Sequence, residues 1–491
     1  MKTKSIRKWL SILIILAMSL SLFAACRKKD ETESSDSSKV EQDKTDDVAK
    51  EDDTNLDTVE EGPTLTPIPD LDLGGMEIII GDWWSSDEEK EPTTAQEEAT
   101  QEYRRMIQEK YNFKMKQVAV SDWNGMQETF TTSVMAEDPA AEIMLLGPAW
   151  TAQPLANGLF YDLATLEHLD FTDSKWNQAV LEQMTYGDSI FGMASGKPEP
   201  KLGVYFNKRL FKEAGLDPDL PYDLQASGDW TWDKFEELCE ELLIDHNNDG
   251  VIDTYPMMSF SAELIPGAIT ANNGKFVGKD ENGKFYNAIH EPQFIEALQW
   301  VVKLISKGYE MRSPEGAQWD YFTTAFMQAE VAMIAREQYW AGDLQDMEDD
   351  WGFVLFPKPD KESNYRIYFS DNVAVIPSCF DEETANKIAF AYNLWTNPTP
   401  GYEGDDDWKQ RYYPMYRDER AVDETLAMMY DVCDVVYNYQ PFVYGIDTGA
   451  DMIWDIYGLW ATPAEKIEEV SGKWDALIEE ANANIEKLTN K

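Results

Sequence analysis

Residues 245–253 carry oxygen-bearing side chains at the spacing of a calcium-binding loop, with positions 1, 3, 5 and 9 occupied by Asp245, Asn247, Asp249 and Asp253. Gly250, at position 6, allows the sharp turn, and Val251 offers its backbone carbonyl at position 7. Position 12 is Pro256 instead of the usual glutamate, so water or Glu263 would have to complete the ligand shell. We expect a structural calcium ion here, the alternative being a turn built from Asx side chains.

Aromatic residues that could bind a ligand come directly after three short apolar runs. The runs 76–81, 113–120 and 142–146 are typical of buried strands. Ligands of open α/β sheets sit beyond the carboxyl ends of the strands. A ring at such a position can face a ligand or pack inward. The candidates for ligand contact at these ends are Asp82, Trp83, Trp84, Trp123 and Trp150.

The sequence contains no pattern typical of a catalytic centre. Its three histidines are scattered, and no G-x-S-x-G, H-E-x-x-H or phosphate-binding glycine loop occurs. Cys239 lies on an apolar helical face, which favours a place in the core over disulfide bonding. We therefore predict a protein that is not an enzyme. The presence of a catalytic carboxylate pair of the glycosidase type stays an open alternative, because two such residues come together only in the folded chain.

Length and charge restrict the class of protein further. A chain of 491 residues is too long for one compact core, so two or more lobes are expected. The formal net charge of −50 argues against nucleic acid as a partner, because phosphate binding needs a basic surface. No stretch beyond the first 26 residues is long and apolar enough to span a membrane.

The N-terminal residues 1–26 have the pattern of a secretion signal. Basic residues precede an uncharged run that ends in Leu-Phe-Ala-Ala-Cys, which resembles a bacterial lipobox with Cys26 as the lipidated residue. Phe23 departs from the usual leucine, and the alternatives are ordinary cleavage or an uncleaved anchor. The acidic stretch 27–72 has no aromatic residue and is predicted to be a disordered tether.

The stretch from Gly203 to Leu243 predicts a strand, a short helix, a turn and a longer helix. Residues 204–206 are apolar and aromatic, and Asn207 and Thr231 are good N-cap residues for the two helices. Gly215 ends the first of these helices. The order Val-Tyr-Phe-Asn-Lys-Arg-Leu-Phe-Lys-Glu-Ala-Gly-Leu-Asp-Pro, followed by Thr-Trp-Asp-Lys-Phe, closely resembles family 1 extracellular solute-binding proteins, the maltose-binding-protein-like receptors of ABC importers.

This resemblance covers about residues 73–491 and implies an α/β fold of the two-lobed type II periplasmic-binding class with three crossovers between the lobes. The crossovers are expected near 190–205, after 351–355 and within 397–420. The first lobe would consist of 73–195 and 356–412, and the second of 196–355 and 413–491.

The resemblance also implies further ligand-binding residues. The stretch 329–335 resembles a family strand that is followed by an aromatic residue stacking on a sugar, which makes Trp340 the leading candidate. The stretch 368–377 resembles the return strand whose polar groups face the ligand. The residues added to the ligand-binding set are Tyr205, Tyr339, Trp340 and Asp371.

The function that the resemblance implies is capture of a carbohydrate, most simply an oligosaccharide, by a monomer that delivers it to ABC permease subunits. The protein would be lipid-anchored on the outer face of the cell membrane. Two alternatives stay open. The same fold could bind a cationic ligand such as a polyamine or peptide, because acidic and aromatic residues suit ammonium groups. The second alternative is a surface glycosidase or adhesin.

Overall fold

The computed structural model describes residues 71–86, 91–404 and 407–489. Residues Pro69–Lys491 form one compact unit. The predicted signal, the lipidated Cys26 and nearly all of the predicted tether lie outside the described residues. Within the described ranges, no helix has the length and apolar character needed to cross a membrane.

Strands and helices alternate along most of the described chain. The strands are β1 Met76–Asp82, β2 Phe113–Ala119, β3 Ile143–Leu146, β4 Thr185–Tyr186, β5 Ser189–Ile190, β6 Leu202–Asn207, β7 Tyr255–Met257, β8 Val277–Lys279, β9 Phe285–Asn287, β10 Val331–Glu337, β11 Trp351–Leu355, β12 Arg366–Ile367, β13 Val373–Val375 and β14 Asp434–Val435. The helices are α1 Ala95–Tyr111, α2 Met126–Met135, α3 Ala152–Ala156, α4 Gln178–Met184, α5 Lys208–Glu213, α6 Leu220–Ser227, α7 Trp232–Glu241, α8 Ser261–Ala271, α9 Pro292–Ser306, α10 Tyr321–Met327, α11 Glu382–Trp395, α12 Ala427–Asp431, α13 Trp454–Tyr457 and α14 Pro463–Thr489.

The first four-stranded sheet has the strand order β13-β3-β1-β2. β1 runs parallel to β2 and β3, and β13 runs antiparallel to β3. Ile78 and Ile80 of β1 are buried together with Ile107 of α1. The sheet is thus the centre of the first lobe, and the carboxyl ends of three of its strands lie at the same edge.

The second four-stranded sheet has the order β11-β6-β10-β7. β7 runs parallel to β10, whereas β6 runs antiparallel to both of its neighbours. All six residues of β6 are buried, which fits its central place in the second lobe. A Cβ at Gly203 would lie 2.4 Å from the ring of Phe353, so only glycine fits there.

The predicted N-caps of the organising stretch are present. The Asn207 side chain accepts a hydrogen bond of 3.1 Å from the Leu210 amide, which starts α5. Thr231 accepts one from the Lys234 amide at 3.4 Å, which starts α7. The local sequence therefore fixes where both helices begin, as the cap residue types predict.

Two crossovers between the lobes run side by side. Met193 and Ala374 exchange backbone hydrogen bonds of 3.0 and 2.7 Å, and the Lys201 amide donates to the Tyr368 carbonyl at 3.1 Å. Thr399, at the start of the predicted third crossover, has its hydroxyl 2.7 Å from that of Thr100 in the first lobe. The position of this crossover within 397–420 stays a prediction.

Residues 356–367 lie with the second lobe and not with the first. The Lys358 amide donates to the Trp230 carbonyl at 3.2 Å, and the Trp232 amide donates to the Lys358 carbonyl at 2.8 Å. β12 then pairs with β14. The return to the first lobe therefore falls nearer 368 than the predicted 356.

The C-terminal helix α14 contacts both lobes. On the second lobe, the Asn482 side chain exchanges two hydrogen bonds of 2.9 Å with the backbone of Phe285. On the first lobe, a Cβ at Gly158 would lie 3.9 Å from a methyl carbon of Leu488. A cavity of about 370 Å³ is lined by residues of α14 and α3 together with Phe442 and Tyr444.

Candidate ligand-binding site

The site is positioned by the carboxyl ends of the strands of both sheets. β1, β2 and β3 end at one edge of the first sheet, where β13 arrives from the second crossover. β7 and β10 end at one edge of the second sheet, where the Gln338 amide donates to the Lys201 carbonyl at 2.9 Å. Both edges therefore adjoin the crossovers, as the rule for ligand sites in α/β sheets requires.

Four tryptophans meet at the edge of the first sheet. Ring centroids of Trp83 lie 4.4 Å from Trp84, 5.3 Å from Trp123 and 4.8 Å from Trp150. Trp123 and Trp150 are 4.5 Å apart. Trp84 and Trp123 remain 51% and 58% exposed, so their rings have faces open to a ligand. The four strand-end tryptophans predicted from sequence are thus brought into one cluster.

Asp82 belongs to the same edge, but its carboxylate has an internal role. The side chain is fully buried and accepts hydrogen bonds from the Trp84 and Ser85 amides at 3.0 and 2.8 Å. The Gln117 side chain donates to it at 2.7 Å. The carboxylate thus holds the turn that presents Trp83 and Trp84, and the contact of Asp82 with a ligand stays a prediction.

The edge of the second sheet carries a buried charged group. One nitrogen of Arg336 lies 2.5 Å from Glu263 and 3.5 Å from Glu337. Glu263 Oε2, Arg336 Nε and Gln338 Oε1 are buried without a hydrogen-bond partner among the described residues. Such unpaired buried polar atoms are costly to the folded protein.

Tyr339 and Trp340 follow β10 but point in different directions. Tyr339 is 46% exposed, and the ammonium of Lys201 lies 4.8 Å from its ring centroid. Trp340 is 2% exposed and packs edge-on against Tyr205 at 5.2 Å. Tyr205 is fully buried and donates from its hydroxyl to the Gln338 carbonyl at 2.8 Å. Both rings thus pack in the core of this structure, and the ligand contacts of Trp340 and Tyr205 stay predictions.

Sequence analysis missed a second aromatic group, which lies next to Arg336. Phe260, directly after β7, stacks on Phe322 at 5.6 Å. Trp319 lies 6.1 Å from both rings and is 76% exposed. The Arg336 guanidinium lies 5.2 Å from the Phe322 ring centroid. The concentration of aromatic residues at 319–322 was the available signal.

Asp371 lies on the second crossover. Its carboxylate accepts a hydrogen bond of 3.0 Å from the Glu199 amide of the first crossover. Burial, followed by the charge of Glu199, raises the pKa of this carboxyl to about 6. Arg411 of the third crossover pairs with Glu199 at 2.7 Å. Asp371 thus helps to join all three crossovers, and its contact with a ligand stays a prediction.

The predicted calcium loop has its side chains engaged with its own backbone. Asp245 accepts from the Gly250 amide at 2.8 Å, and Asp249 accepts from the Val251 amide at 2.8 Å. Asn247 accepts from the Asp249 amide at 2.8 Å, and Asp253 from His246 at 2.8 Å. In the described part of the chain, no three His, Cys, Asp or Glu side chains are grouped to hold a metal. This pattern is that of an Asx-rich turn, and calcium binding stays a prediction.

Buried carboxyl groups near the site predict a pH-dependent stability. Burial raises the pKa of Glu310 to about 7, and burial together with Glu337 raises the pKa of Glu263 to about 8. A carboxyl whose pKa is higher folded than unfolded binds more protons in the folded state, so stability falls as pH rises through this interval. We expect the thermal midpoint to fall from pH 5 to pH 8.

The variant Glu310→Gln isolates this effect from general charge repulsion. Glutamine keeps the oxygen that accepts a hydrogen bond of 2.8 Å from the Ser259 amide but cannot ionise. Between pH 5 and pH 8, we expect the free energy of unfolding to fall by about 2 kcal/mol less in the variant than in the parent. The exposed Glu315→Gln is the control, measured by denaturant unfolding at each pH. Equal pH slopes in Glu310→Gln and the parent would contradict the prediction.

Solved structures with the same fold include three binding proteins of bacteria. An ABC substrate-binding protein from Listeria monocytogenes in complex with cycloalternan is 17% identical, with a TM-score of 0.56 over 85% of this chain and 99% of that chain. The cyclic α-maltosyl-1,6-maltose binding protein from Arthrobacter globiformis is 17% identical, with a TM-score of 0.58 over 84% and 100%. The sugar-binding protein MalE from Xanthomonas citri is 12% identical, with a TM-score of 0.57 over 82% and 98%.

At these identities the likeness shows the fold, and it confirms the predicted two-lobed α/β architecture. None of the curated protein sequences matches this chain. The family described as bacterial extracellular solute-binding protein matches residues 85–378, which is more than half of the chain. The matched range includes the second sheet, the strands of the first sheet other than β1, two of the four tryptophans (Trp123 and Trp150) and the charged group of the second lobe. The chain therefore belongs to the bacterial extracellular solute-binding proteins.

Proposed function

We propose that this protein captures a carbohydrate, most simply an oligosaccharide, for an ABC importer. The observation that carries the proposal is the cluster formed by Trp83, Trp84, Trp123 and Trp150 at the carboxyl edge of the first sheet. Pyranose rings present apolar C–H faces that pack on aromatic side chains. Each such platform adds about 1 kcal/mol beyond area burial, by analogy with aromatic pairs.

The polar half of a sugar finds complementary groups on the second lobe. The side chains of Arg336 and Glu337 are partly exposed, so the guanidinium can donate to a sugar hydroxyl and the carboxylate can accept from one. Aromatic surface on one lobe and charged polar groups on the other suit an amphipathic ligand. Solved structures with this fold support the same class, since three of them hold cycloalternan, acarbose and mannobiose.

Thermal unfolding against a panel of ligands tests the proposal. The panel contains mono- and oligosaccharides of glucose and mannose, together with spermidine and a lysine-rich peptide. A ligand that binds only the folded state raises the midpoint in a saturable way. We expect a rise with one class of glycan and no hydrolysis product. A rise with spermidine or the peptide alone would overturn the carbohydrate assignment in favour of a cationic ligand.

The transport partners and the anchoring belong to the same proposal. The family match supports an extracytoplasmic receptor, and the proposed partners are permease subunits of an importer. We place lipid attachment at Cys26, which would hold the monomeric receptor at the outer face of the membrane. Metabolic labelling with a fatty-acid probe tests the anchor, with Cys26→Ser as the control. Equal labelling of both forms would rule it out.

We also propose that the loop 245–253 binds calcium in a structural role. The Asx network already holds Asp245, Asn247 and Asp249 close to one turn, so ion binding would require reorientation of oxygens and not refolding. We expect millimolar calcium to raise the thermal midpoint, and Asp245→Asn to weaken that response at least tenfold in calcium concentration. The same titration with magnesium is the control. No response to calcium would leave the loop as an Asx-rich turn.

A further inference from the structure

The charged group at the edge of the second sheet has two carboxylates and one cation. One guanidinium nitrogen of Arg336 lies 2.5 Å from Glu263 of α8 and 3.5 Å from Glu337 at the end of β10. Both carboxylate side chains are less than one fifth exposed, so water screens their charges poorly. Within the ranges that the structure describes, no second ion pair reaches this carboxylate pair, Glu263 and Glu337. One negative charge is therefore left without a partner.

The titration of nearby groups reflects this excess of negative charge. Burial, followed by the charge of Glu337, raises the pKa of Glu263 to about 8. Burial, followed by the charges of Glu337 and Glu263, raises the pKa of the Tyr368 hydroxyl. Near neutral pH the carboxylate pair thus takes up a proton, because no second cation is present to stabilise both ionised forms. A cationic group of a ligand could take the place of that proton.

The other charged side chains around the site are matched one to one. The Lys201 ammonium lies 4.8 Å from the ring centroid of Tyr339, and its charge acts on the Asp371 carboxyl. Arg411 pairs with Glu199 at 2.7 Å. With the carboxylate pair included, four carboxylates face three cations. The crossovers therefore do not supply the missing positive charge.

The carboxylate pair adjoins the crossovers between the lobes. The Gln338 amide, directly after Glu337, donates to the Lys201 carbonyl of the first crossover at 2.9 Å. The Lys201 amide in turn donates to the carbonyl of Tyr368 on the second crossover at 3.1 Å. The side chain of Glu337 is 19% exposed at this place. A ligand held between the edges of the two sheets can therefore reach its carboxylate.

We propose that the cargo is an amino sugar, or a glycan that contains one, whose ammonium group pairs with Glu337 beside Glu263. This inference rests on the proposed function, in which sugar rings pack on the four-tryptophan cluster. A neutral sugar leaves the excess charge to a proton, and a polyamine has no pyranose faces for the tryptophans. An ammonium on a sugar ring supplies both, and its three N–H groups are donors that a carboxylate accepts.

Titration calorimetry with matched sugars tests this inference on the full-length protein. Cellobiose, diacetylchitobiose and the glucosamine disaccharide share one skeleton and carry a hydroxyl, an acetamide and an ammonium at the second carbon. Glucose, mannose and galactose are compared with their 2-amino forms in the same way. We expect an ammonium form to bind about tenfold more tightly than its hydroxyl form. This preference should shrink as salt is added, because it depends on charge.

The variant Glu337→Gln assigns the preference to the carboxylate pair. Glutamine keeps an oxygen that accepts from a hydroxyl but carries no charge. We expect the preference for the ammonium form to fall from about tenfold to about twofold. Glu315→Gln is the control, because Glu315 is exposed and removes the same charge elsewhere on the second lobe. It should keep the full preference, and thermal unfolding of both variants checks that the fold is retained.

Four results would contradict the inference. Ammonium forms that bind no better than hydroxyl forms overturn it while leaving carbohydrate capture intact. Amino sugars that fail to bind, although a neutral glycan of the thermal panel binds, have the same meaning. A full preference retained in Glu337→Gln overturns the assignment to the carboxylate pair. Binding of spermidine without binding of any sugar removes both the inference and the proposed function.

Discussion

Replacement of both Trp84 and Trp123 by alanine is expected to weaken glycan binding about thirtyfold, because each lost platform removes about 1 kcal/mol or more. Both rings are about half exposed, at 51% and 58%, so their loss leaves no large cavity in the core. Surface substitutions of this kind usually change the free energy of unfolding by less than about 0.5 kcal/mol each. Binding should therefore fall while stability stays close to that of the parent.

Titration calorimetry with the glycan found in the thermal panel measures this change. Trp454→Ala is a matched control, because Trp454 is also 51% exposed but lies on α13, away from the cluster. We expect the control to bind the shortest glycan as the parent does. Unchanged affinity in the double variant would show that the cluster is not the carbohydrate platform, and the proposed function would lose its main support.

Trp340→Ala is expected to destabilise the protein by about 3 to 5 kcal/mol, the usual cost of truncating a buried tryptophan. The ring is 2% exposed and lies between Tyr205 and Phe326, at centroid distances of 5.2 and 5.8 Å. Its removal would leave a cavity directly beneath β10. Denaturant unfolding, with the midpoint and slope fitted together, measures the effect.

The variant Trp340→Phe distinguishes core packing from ligand contact. Phenylalanine fills most of the space, so we expect a smaller loss of stability and a glycan affinity close to that of the parent. The opposite outcome is a Trp340→Ala protein with normal stability and no binding. That result would restore Trp340 as a ligand platform and contradict its buried place in the structure.

The four-tryptophan cluster could be predicted because its members share one rule. Each of them follows a strand of the first sheet, and parallel strands bring their carboxyl ends to one edge. The apolar runs before Trp83 and Trp150 were short and well bounded, so their strands were clear from the sequence. The parallel order of the strands was therefore enough to predict that these tryptophans lie together, without knowledge of other long-range contacts.

The direction of a side chain after a strand could not be predicted in the same way. Tyr339 and Trp340 are neighbours, yet one ring is 46% exposed and the other 2%. Residues 338–344 form a 3₁₀ helix, which turns adjacent side chains to different sides of the backbone. The direction of the Asp82 side chain could not be predicted either, since only the geometry of the turn reveals that its carboxylate accepts hydrogen bonds from amides of its own loop.

Trp319 was missed for a different reason. Its contacts are with Phe260, which lies far from it in sequence and follows another strand. α10 begins at Tyr321 and leaves Trp319 in the preceding loop. The side-chain direction of a loop residue does not follow from helical spacing, so its exposure could not be predicted.

The helix α14 gives the chain a means of adjusting affinity without altering specificity. Because Asn482 binds Phe285 of one lobe while Leu488 lies beside Gly158 of the other, a change of angle between the lobes must disturb one of these contacts. Substitutions at Leu488 would then redistribute molecules between conformations. The apparent dissociation constant equals the intrinsic constant divided by the competent fraction, so it would change for every cargo by one common factor.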